Sequence, residues 1–405
     1  MGNVMLARTT AVLAVFSMLA AAQEWPQWRG PNRDGIAVSF PAPQAWPEKL
    51  RLKWKVEIGE GHSSPLVSGG RIYLHSRQGE REVVSCLQPE NGKVVWRQTY
   101  PAPYRVTPVA ASHGSGVKST PAIADNRICT LGISGVLGCF DAQTGTPLWR
   151  QSFPAPEYGT AMSPVLDQGL LIAHVGDRGS GALTAFDART GAVKWSWKGD
   201  GPAYASPIVV ELAGARQVVT QTRRFIVSVA ASTGELLWRI PFTTAFDQNS
   251  VTPVLHRDVL IFSGLRQGIM GVRVSRRGAS FTAETAWRNE DISLYMSSPV
   301  AAGDAAFGIT NRNSGQFFAL DPRTGSVLWT SEGRQGENAA IIAAGPVLWL
   351  LTTEGTLIVA GRNTRAWQPL GRYTVAGSPT WAHPAPLGNG LLVKDATTLA
   401  RWEIP

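Results

Sequence analysis

A nine-residue motif that recurs along the chain constrains its fold more than any other sequence feature. Its first residue is Asp in three of the five copies, its fifth is Gly and its last is Trp. The copies occupy residues 88–96, 141–149, 187–195, 230–238 and 321–329. The first residue ends one strand, the Thr-Gly or Asn-Gly pair supplies a turn that tolerates positive φ, and the next strand follows. The motif therefore predicts a Trp that lies flat between neighbouring sheets, with one indole N–H to satisfy.

A second mark, Ser or Thr followed by Pro, opens each unit, and Pro at the first residue of a strand costs no ladder hydrogen bond. It occurs at Ser64, Thr120, Ser163, Ser206, Thr252, Ser298 and Ser378. A degenerate unit at residues 339–342 lacks the Pro and raises the count to eight. Units of four strands at this spacing are typical of propeller blades. We predict an all-β fold, an eight-bladed β-propeller of four-stranded antiparallel blades.

The two ends of the repeat array are incomplete. The last unit lacks a Trp strand, whereas residues 51–58 form a Trp strand without a unit of their own. We expect this N-terminal strand to complete the last blade, because closure removes an exposed sheet edge. The repeats resemble the pyrroloquinoline-quinone-like (PQQ-like) propeller family over residues 51–405. That resemblance extends to the outer-membrane barrel-assembly lipoprotein and to quinoprotein alcohol dehydrogenases, so it implies a fold and leaves the activity open.

The N-terminus predicts export. Arg8 precedes an apolar run that ends at Ala22, which is typical of a secretory signal peptide over residues 1–22, cleaved before Gln23. No second apolar run of about twenty residues follows, so we expect a periplasmic or extracellular protein without a membrane span. Residues 23–50, rich in Pro and Trp, predict an ordered strap lying on the ring, and residues 51–405 form one propeller domain.

The charge does not favour nucleic acid as a partner. The formal net charge is +9, but the basic residues are spread along the whole chain without a dense run. An exported protein also rarely meets nucleic acid. We expect a monomer whose partner is an envelope protein or an anionic polymer.

Propeller geometry places two sets of loops on one face, here called the top face: those that lead into each innermost strand and those between the second and third strands. The first set carries residues from several blades whose side chains could converge on a central mouth or simply plug the channel. These are His62, Lys118, Tyr158, Tyr204, Asp247, Asn249, Tyr295, Asn338, Trp381 and His383. Residues 101–117 form the longest insertion on this face and predict either a lid or docking loop, or a decorative excursion.

The second set of loops carries Arg in five blades, which predicts an anion-binding rim because guanidinium groups bind carboxylate or phosphate in a bidentate manner. These residues are Arg77, Arg178, Arg223 (followed by Arg224), Arg266 and Arg312. A charged, solvated turn without a ligand is the alternative interpretation of each.

The remaining reactive residues indicate no catalytic or metal site. The six His residues show no metal-ligand spacing, and nucleophile-elbow, Walker and H-E-x-x-H motifs are absent from the sequence. Asp247 and Glu337 are the best carboxylate candidates near the mouth for a general base or a calcium ligand. Cys86 and Cys139 occupy a position that other repeats fill with Ala or Ser, which predicts that both thiols are small side chains packed in the core. Cys129 and Cys139 face each other across a tight turn and could form a disulfide, with Cys86 left free.

Three functions fit these observations. The first is a non-catalytic binding or scaffold propeller that uses its top face for a protein partner or an anionic ligand, without a cofactor. The second is a PQQ-dependent oxidoreductase with calcium, although the dehydrogenases that the chain resembles carry adjacent cysteines, which this sequence lacks. The third is polysaccharide binding or lysis, which would use Trp381, Tyr295 and Asp247.

Overall fold

The computed structural model describes residues 24–38 and 40–405, which form eight sheets, each with four antiparallel strands from the repeats and one with the short strand Ile36–Ala37 added as a parallel fifth strand. The predicted signal peptide and its cleavage point lie outside the described residues. The chain begins with β1 (Ile36–Ala37) and β2 (Arg51–Glu57). Three 3₁₀ helices lie in top-face loops: Pro108–His113, Ala245–Asp247 and Arg312–Ser314. Within the described part of the chain, no helix is long and apolar enough to cross a bilayer.

Blades 1 to 4 have four strands each, taken in chain order. Blade 1 contains β3 (Leu66–Ser68), β4 (Arg71–Gln78), β5 (Arg81–Leu87) and β6 (Val94–Pro101). Blade 2 contains β7 (Ala122–Ala124), β8 (Arg127–Leu131), β9 (Val136–Asp141) and β10 (Pro147–Ser152). Blade 3 contains β11 (Val165–Asp167), β12 (Leu170–Val175), β13 (Ala182–Asp187) and β14 (Val193–Trp197). Blade 4 contains β15 (Ile208–Leu212), β16 (Ala215–Gln221), β17 (Phe225–Ala230) and β18 (Leu236–Pro241).

Blades 5 to 8 repeat this arrangement. Blade 5 contains β19 (Val254–His256), β20 (Val259–Ser263), β21 (Ile269–Arg277) and β22 (Ser280–Asn289). Blade 6 contains β23 (Val300–Ala302), β24 (Ala305–Thr310), β25 (Gln316–Leu320) and β26 (Val327–Thr330). Blade 7 contains β27 (Ala339–Ala344), β28 (Val347–Thr352), β29 (Thr356–Gly361) and β30 (Pro369–Thr374). Blade 8 contains β31 (Ala385–Leu387), β32 (Gly390–Lys394) and β33 (Thr398–Glu403), with β2 as its fourth strand.

The ring closes as the sequence predicts. Strand β2 pairs with β33 in antiparallel register, with Arg51 opposite Glu403 and Glu57 opposite Thr398. The N-terminal strand therefore covers the edge that the last repeat leaves open. The eight-bladed all-β prediction is confirmed.

The recurrent Trp residues join neighbouring blades. The Trp96 indole of blade 1 donates to the Ala142 carbonyl of blade 2 at 3.0 Å, and a Cβ atom added to the turn residue Gly145 would lie 2.5 Å from the Trp96 ring. The motif glycine is thus required both by its positive φ and by the Trp above it. Trp238 departs from the pattern and donates to Gln217 of its own blade at 2.9 Å, because blade 5 has the long β21–β22 hairpin in place of the Thr-Gly turn.

Hydrogen bonds to the Ser and Thr residues that precede Pro connect neighbouring blades on the inside of the ring. The Ser64 backbone N–H donates to the Thr120 hydroxyl, and the Thr120 N–H donates to the Ser163 hydroxyl, both at 2.9 Å. The Ser64 hydroxyl in turn accepts from the His383 N–H at 2.9 Å. The prediction that Ser378 opens the last blade is wrong, because His383 holds the equivalent position directly before β31.

Residues 24–38, the first part of the strap that the sequence predicts over residues 23–50, enter the ring. Trp25 exchanges backbone hydrogen bonds with Val67 of β3, and β1 runs parallel to β27. The buried Arg33 side chain donates to the Ser163 and Pro164 carbonyls at 2.8 and 2.9 Å. These partners lie on or beside the innermost strands of different blades, so residues 24–38 fill the central channel. We call them the N-terminal plug.

Cys129 and Cys139 form a disulfide between β8 and β9, where they lie directly opposite each other. This pairing resolves the alternative that the sequence left open. Cys86 is free and buried, as the packing interpretation predicts.

Candidate functional site

The top face contains a cavity of about 430 Å³, here called the mouth cavity. Six of the ten predicted mouth residues line it: His62, Lys118, Tyr158, Tyr204, Tyr295 and Trp381. They come from loops of different blades, because the short innermost strands point their preceding loops toward the ring axis. The lining also contains Gln248, Ser250 and Met296, but no carboxylate.

The N-terminal plug contributes Trp28 to the cavity lining. Its indole N–H donates to the Thr252 hydroxyl of blade 5 at 3.2 Å, and its ring centroid lies 4.3 Å from that of His383. Sequence reasoning missed Trp28, because no local signal tells which side chain of a Pro- and Trp-rich segment will reach the ring axis.

The insertion at residues 101–117 borders the cavity on another side. Its 3₁₀ helix contributes Val109, Ala110, Ser112 and His113 to the lining. The His113 ring lies 4.9 Å from the Trp381 ring. The insertion is therefore next to the cavity, where the lid or docking interpretation requires it.

Lys118 is the only Lys or Arg side chain in the lining of the mouth cavity. Its Nζ donates to the Tyr158 carbonyl at 2.9 Å, and burial lowers the pKa of Lys118 to about 8. Burial, with the nearby charge of Lys394, also lowers the pKa of His62 to about 4. The cavity thus holds one poorly solvated ammonium and no acid to pair with it.

The three tyrosines add polar edges to an aromatic wall. The Tyr158 and Tyr204 rings stack with centroids 6.4 Å apart, and the Tyr295 hydroxyl donates to Gln248 Oε1 at 3.2 Å. Burial raises the pKa of Tyr204 above its usual value, so the hydroxyl stays neutral. Aromatic faces with a few directed polar groups suit a planar or amphipathic ligand.

The side chains of the other four predicted mouth residues contact neighbouring loops and strands and do not reach the cavity. Asn249 is buried and donates to the Thr222 and Phe242 carbonyls at 2.6 and 3.1 Å. Asn338 is buried and accepts from the Ser297 hydroxyl at 3.4 Å. His383 is buried against Trp28, and Asp247 accepts from Arg223 at 2.8 Å. None of the four lines the mouth cavity.

The predicted arginine rim is divided among different environments. Arg77 is buried and donates to the Ala102 carbonyl at 2.7 Å. Arg178 lies 3.9 Å from the Asp247 carboxylate, which also pairs with Arg223. Arg266 and Arg312 are exposed. The side chains therefore do not form one continuous guanidinium ring.

The neighbouring Arg224 pairs with the buried Asp200 carboxylate at 3.0 Å. Charge on Arg178, Arg223 and the exposed Arg224 is thus offset by carboxylates of the protein. Among the described residues, Arg266 and Arg312 are exposed and have no carboxylate within ion-pair distance, so they are the part of the predicted rim with unpaired charge.

The residues around the mouth do not fit a quinone held with calcium. Calcium prefers several oxygen ligands that include carboxylates, and none lines the cavity. In the described ranges, no group of three or more His, Cys, Asp or Glu side chains could hold a metal ion. The disulfide is buried between two strands of blade 2 and does not line the cavity.

Known proteins share this fold. The family model described as outer membrane protein assembly factor BamB matches residues 80–331, more than half of the chain. BamB from Moraxella catarrhalis superposes with a TM-score of 0.65 at 17% identity, covering 87% of this chain and 99% of that one. No curated protein sequence matches the chain significantly.

Two quinohemoprotein alcohol dehydrogenases are also similar in structure. The enzymes from Pseudomonas putida and Comamonas testosteroni each superpose with a TM-score of 0.69 at 14% identity, covering 94% of this chain and 80% of theirs. Similarity at such low identity concerns the fold alone.

Proposed function

Because this chain belongs to the propeller family described as outer membrane protein assembly factor BamB, we propose that it is an exported, non-catalytic binding propeller of the cell envelope. It would hold a protein partner or an anionic ligand at its top face. The observation that carries this proposal is the mouth cavity, whose aromatic walls surround one ammonium and contain no carboxylate. Such a lining provides contact area and one positive charge, but no carboxylate acid–base pair.

The exposed residues beside the cavity also support binding. Val109 at its edge is 75% exposed, and Phe246, which precedes the lining residues Gln248 and Ser250, is 72% exposed. Exposed apolar side chains next to a concave site are typical of an interaction surface. Phe246 also has a positive φ of 61°, a conformation that costs energy for a residue other than Gly.

Site-specific photo-crosslinking in the native envelope tests the proposal. A benzophenone side chain replaces Val109 or Phe246 on the top face, or the exposed Asp304 in the β23–β24 turn on the opposite face as a control. We expect a discrete crosslinked species from the two top-face positions only, weakened when Trp381→Ala is added. Equal crosslinking from Asp304, or no effect of Trp381→Ala, would contradict the proposed surface.

The alternative function is a PQQ-dependent oxidoreductase, and the fold shared with quinohemoprotein alcohol dehydrogenases supports it. The cavity lining argues against it, because carboxylates are absent there. Titration of the protein from Gln23 onward with PQQ, with and without calcium, separates the two, since Trp28 and Trp381 line the cavity and report binding by fluorescence. Saturable quenching that requires calcium would favour the oxidoreductase.

A further inference from the structure

Burial lowers the pKa of two lysines in this chain to about 8, and the structure treats them differently. Lys394 is 1% exposed, and its ammonium donates to the carbonyls of Gly61, Asp395 and Ala396 at 3.0, 2.6 and 3.1 Å. Lys118 has one partner, the Tyr158 carbonyl, and lines the mouth cavity. Of these two lysines, only Lys118 has N–H groups without a hydrogen-bond partner and open space beside its amine.

We infer that Lys118 is a nucleophilic amine that captures aromatic aldehydes in the mouth cavity as imines. The cavity offers the rings of Trp28, Trp381 and Tyr295 to a planar aldehyde, and its lining contains no carboxylate that would hold the proton on the amine. This inference uses the cavity of the proposed function but requires no macromolecular partner.

The reaction balances without a further reactant. The deprotonated Lys118 amine attacks the aldehyde carbon and forms a carbinolamine. The carbon–oxygen bond then breaks, and the oxygen leaves as water with the two hydrogens that the amine nitrogen carried. The carbon–nitrogen double bond replaces the carbon–oxygen double bond, so no oxidant or reductant is needed.

The electrostatics of the cavity favour this reactivity. At pH 7.5 about a quarter of an amine of pKa 8 is deprotonated, roughly two hundred times the fraction for a solvated lysine. The other titratable groups that line the cavity are two histidines and three tyrosines. Burial lowers the pKa of His62 and His113, and it raises the pKa of Tyr204 and Tyr295. These four side chains are therefore neutral near pH 7.5 and leave the amine as the reactive group.

Reductive trapping tests this assignment. The folded protein from Gln23 onward reacts briefly with benzaldehyde and cyanoborohydride at pH 7.5, and peptide mass spectrometry locates the N-benzyl adducts. We expect Lys118 to react at least tenfold faster than the exposed Lys93, and Lys394 to remain unmodified. Modification of Lys118 at the rate of Lys93 would overturn the inference.

Two controls separate the cavity from amine basicity alone. Lys118→Arg keeps the charge and should abolish only the Lys118 adduct, whereas Trp381→Ala should slow trapping at Lys118 and not at Lys93. In urea the selectivity should disappear, and selectivity that persists in the unfolded wild-type chain would refute a cavity effect even if a variant fails to fold. Crosslinking from Val109 and Phe246 needs no free amine, so failure of that experiment and failure of this one are distinguishable.

Discussion

Replacement of Gly145 by Ala should destabilise the propeller through the contact between blades 1 and 2. Gly145 has φ of +75°, and an added Cβ would lie 2.5 Å from the Trp96 ring. The left-handed conformation alone costs a residue with a side chain about 1–2 kcal/mol. Displacing the ring from its place, with its hydrogen bond to Ala142, adds about 1–3 kcal/mol. We expect a total loss of about 2–5 kcal/mol in the free energy of unfolding.

Gly303→Ala is the matched control. Gly303 also lies in a turn with φ of +65°, but a Cβ there would meet nothing within 4 Å. This variant should lose only the backbone-strain contribution of about 1–2 kcal/mol. Urea unfolding followed by circular dichroism measures both variants, provided that the slopes with denaturant stay equal.

A second background isolates the indole itself. In a chain that carries Trp96→Ala, the additional cost of Gly145→Ala should fall to that of Gly303→Ala, because the ring that the methyl group meets is gone. Equal losses from Gly145→Ala and Gly303→Ala in the wild-type background would refute the idea that Trp96 selects glycine at this turn.

Three further predictions concern a buried carboxylate, the disulfide and a wall of the mouth cavity. Burial raises the pKa of Glu82, but contacts with His75, Tyr100 and Ile133 outweigh burial and hold that pKa below 4.5, so the stabilisation is present above this pH and is lost on acidification. Glu82→Gln should therefore cost about 1–3 kcal/mol at pH 7, and the difference in urea midpoint from wild type should shrink below pH 4.5. Reduction of the Cys129–Cys139 disulfide should lower stability by about 2–3 kcal/mol, whereas the double Ser variant should show no response to reductant. Trp28→Ala should cost about 1–3 kcal/mol and increase acrylamide quenching of Trp381 fluorescence, and unchanged quenching would contradict the position of Trp28 in the cavity wall.

The repeats made most of the fold predictable, and the departures have identifiable causes. The Trp96–Gly145 contact follows from a motif whose spacing recurs in other blades. The opening of the last blade was misplaced at Ser378 because His383 fills the same role through its backbone N–H, which leaves no trace in a Ser/Thr-Pro pattern. The position of a residue in a top-face loop did not reliably predict that its side chain lines the mouth cavity. Asn249 lies in such a loop, but its side chain turns inward and donates to backbone carbonyls.

The sequence by itself determined the blade count, the antiparallel strands and the closure by residues 51–57, because turn chemistry and alternating burial are encoded within each repeat. The tertiary structure decided which side chains share the mouth cavity. Trp28 and Thr252 are 224 residues apart, yet they form a hydrogen bond in the central channel. The partial burial that lowers the pKa of Lys118 likewise depends on loops from several blades and on the N-terminal plug, and no short stretch of sequence records that convergence.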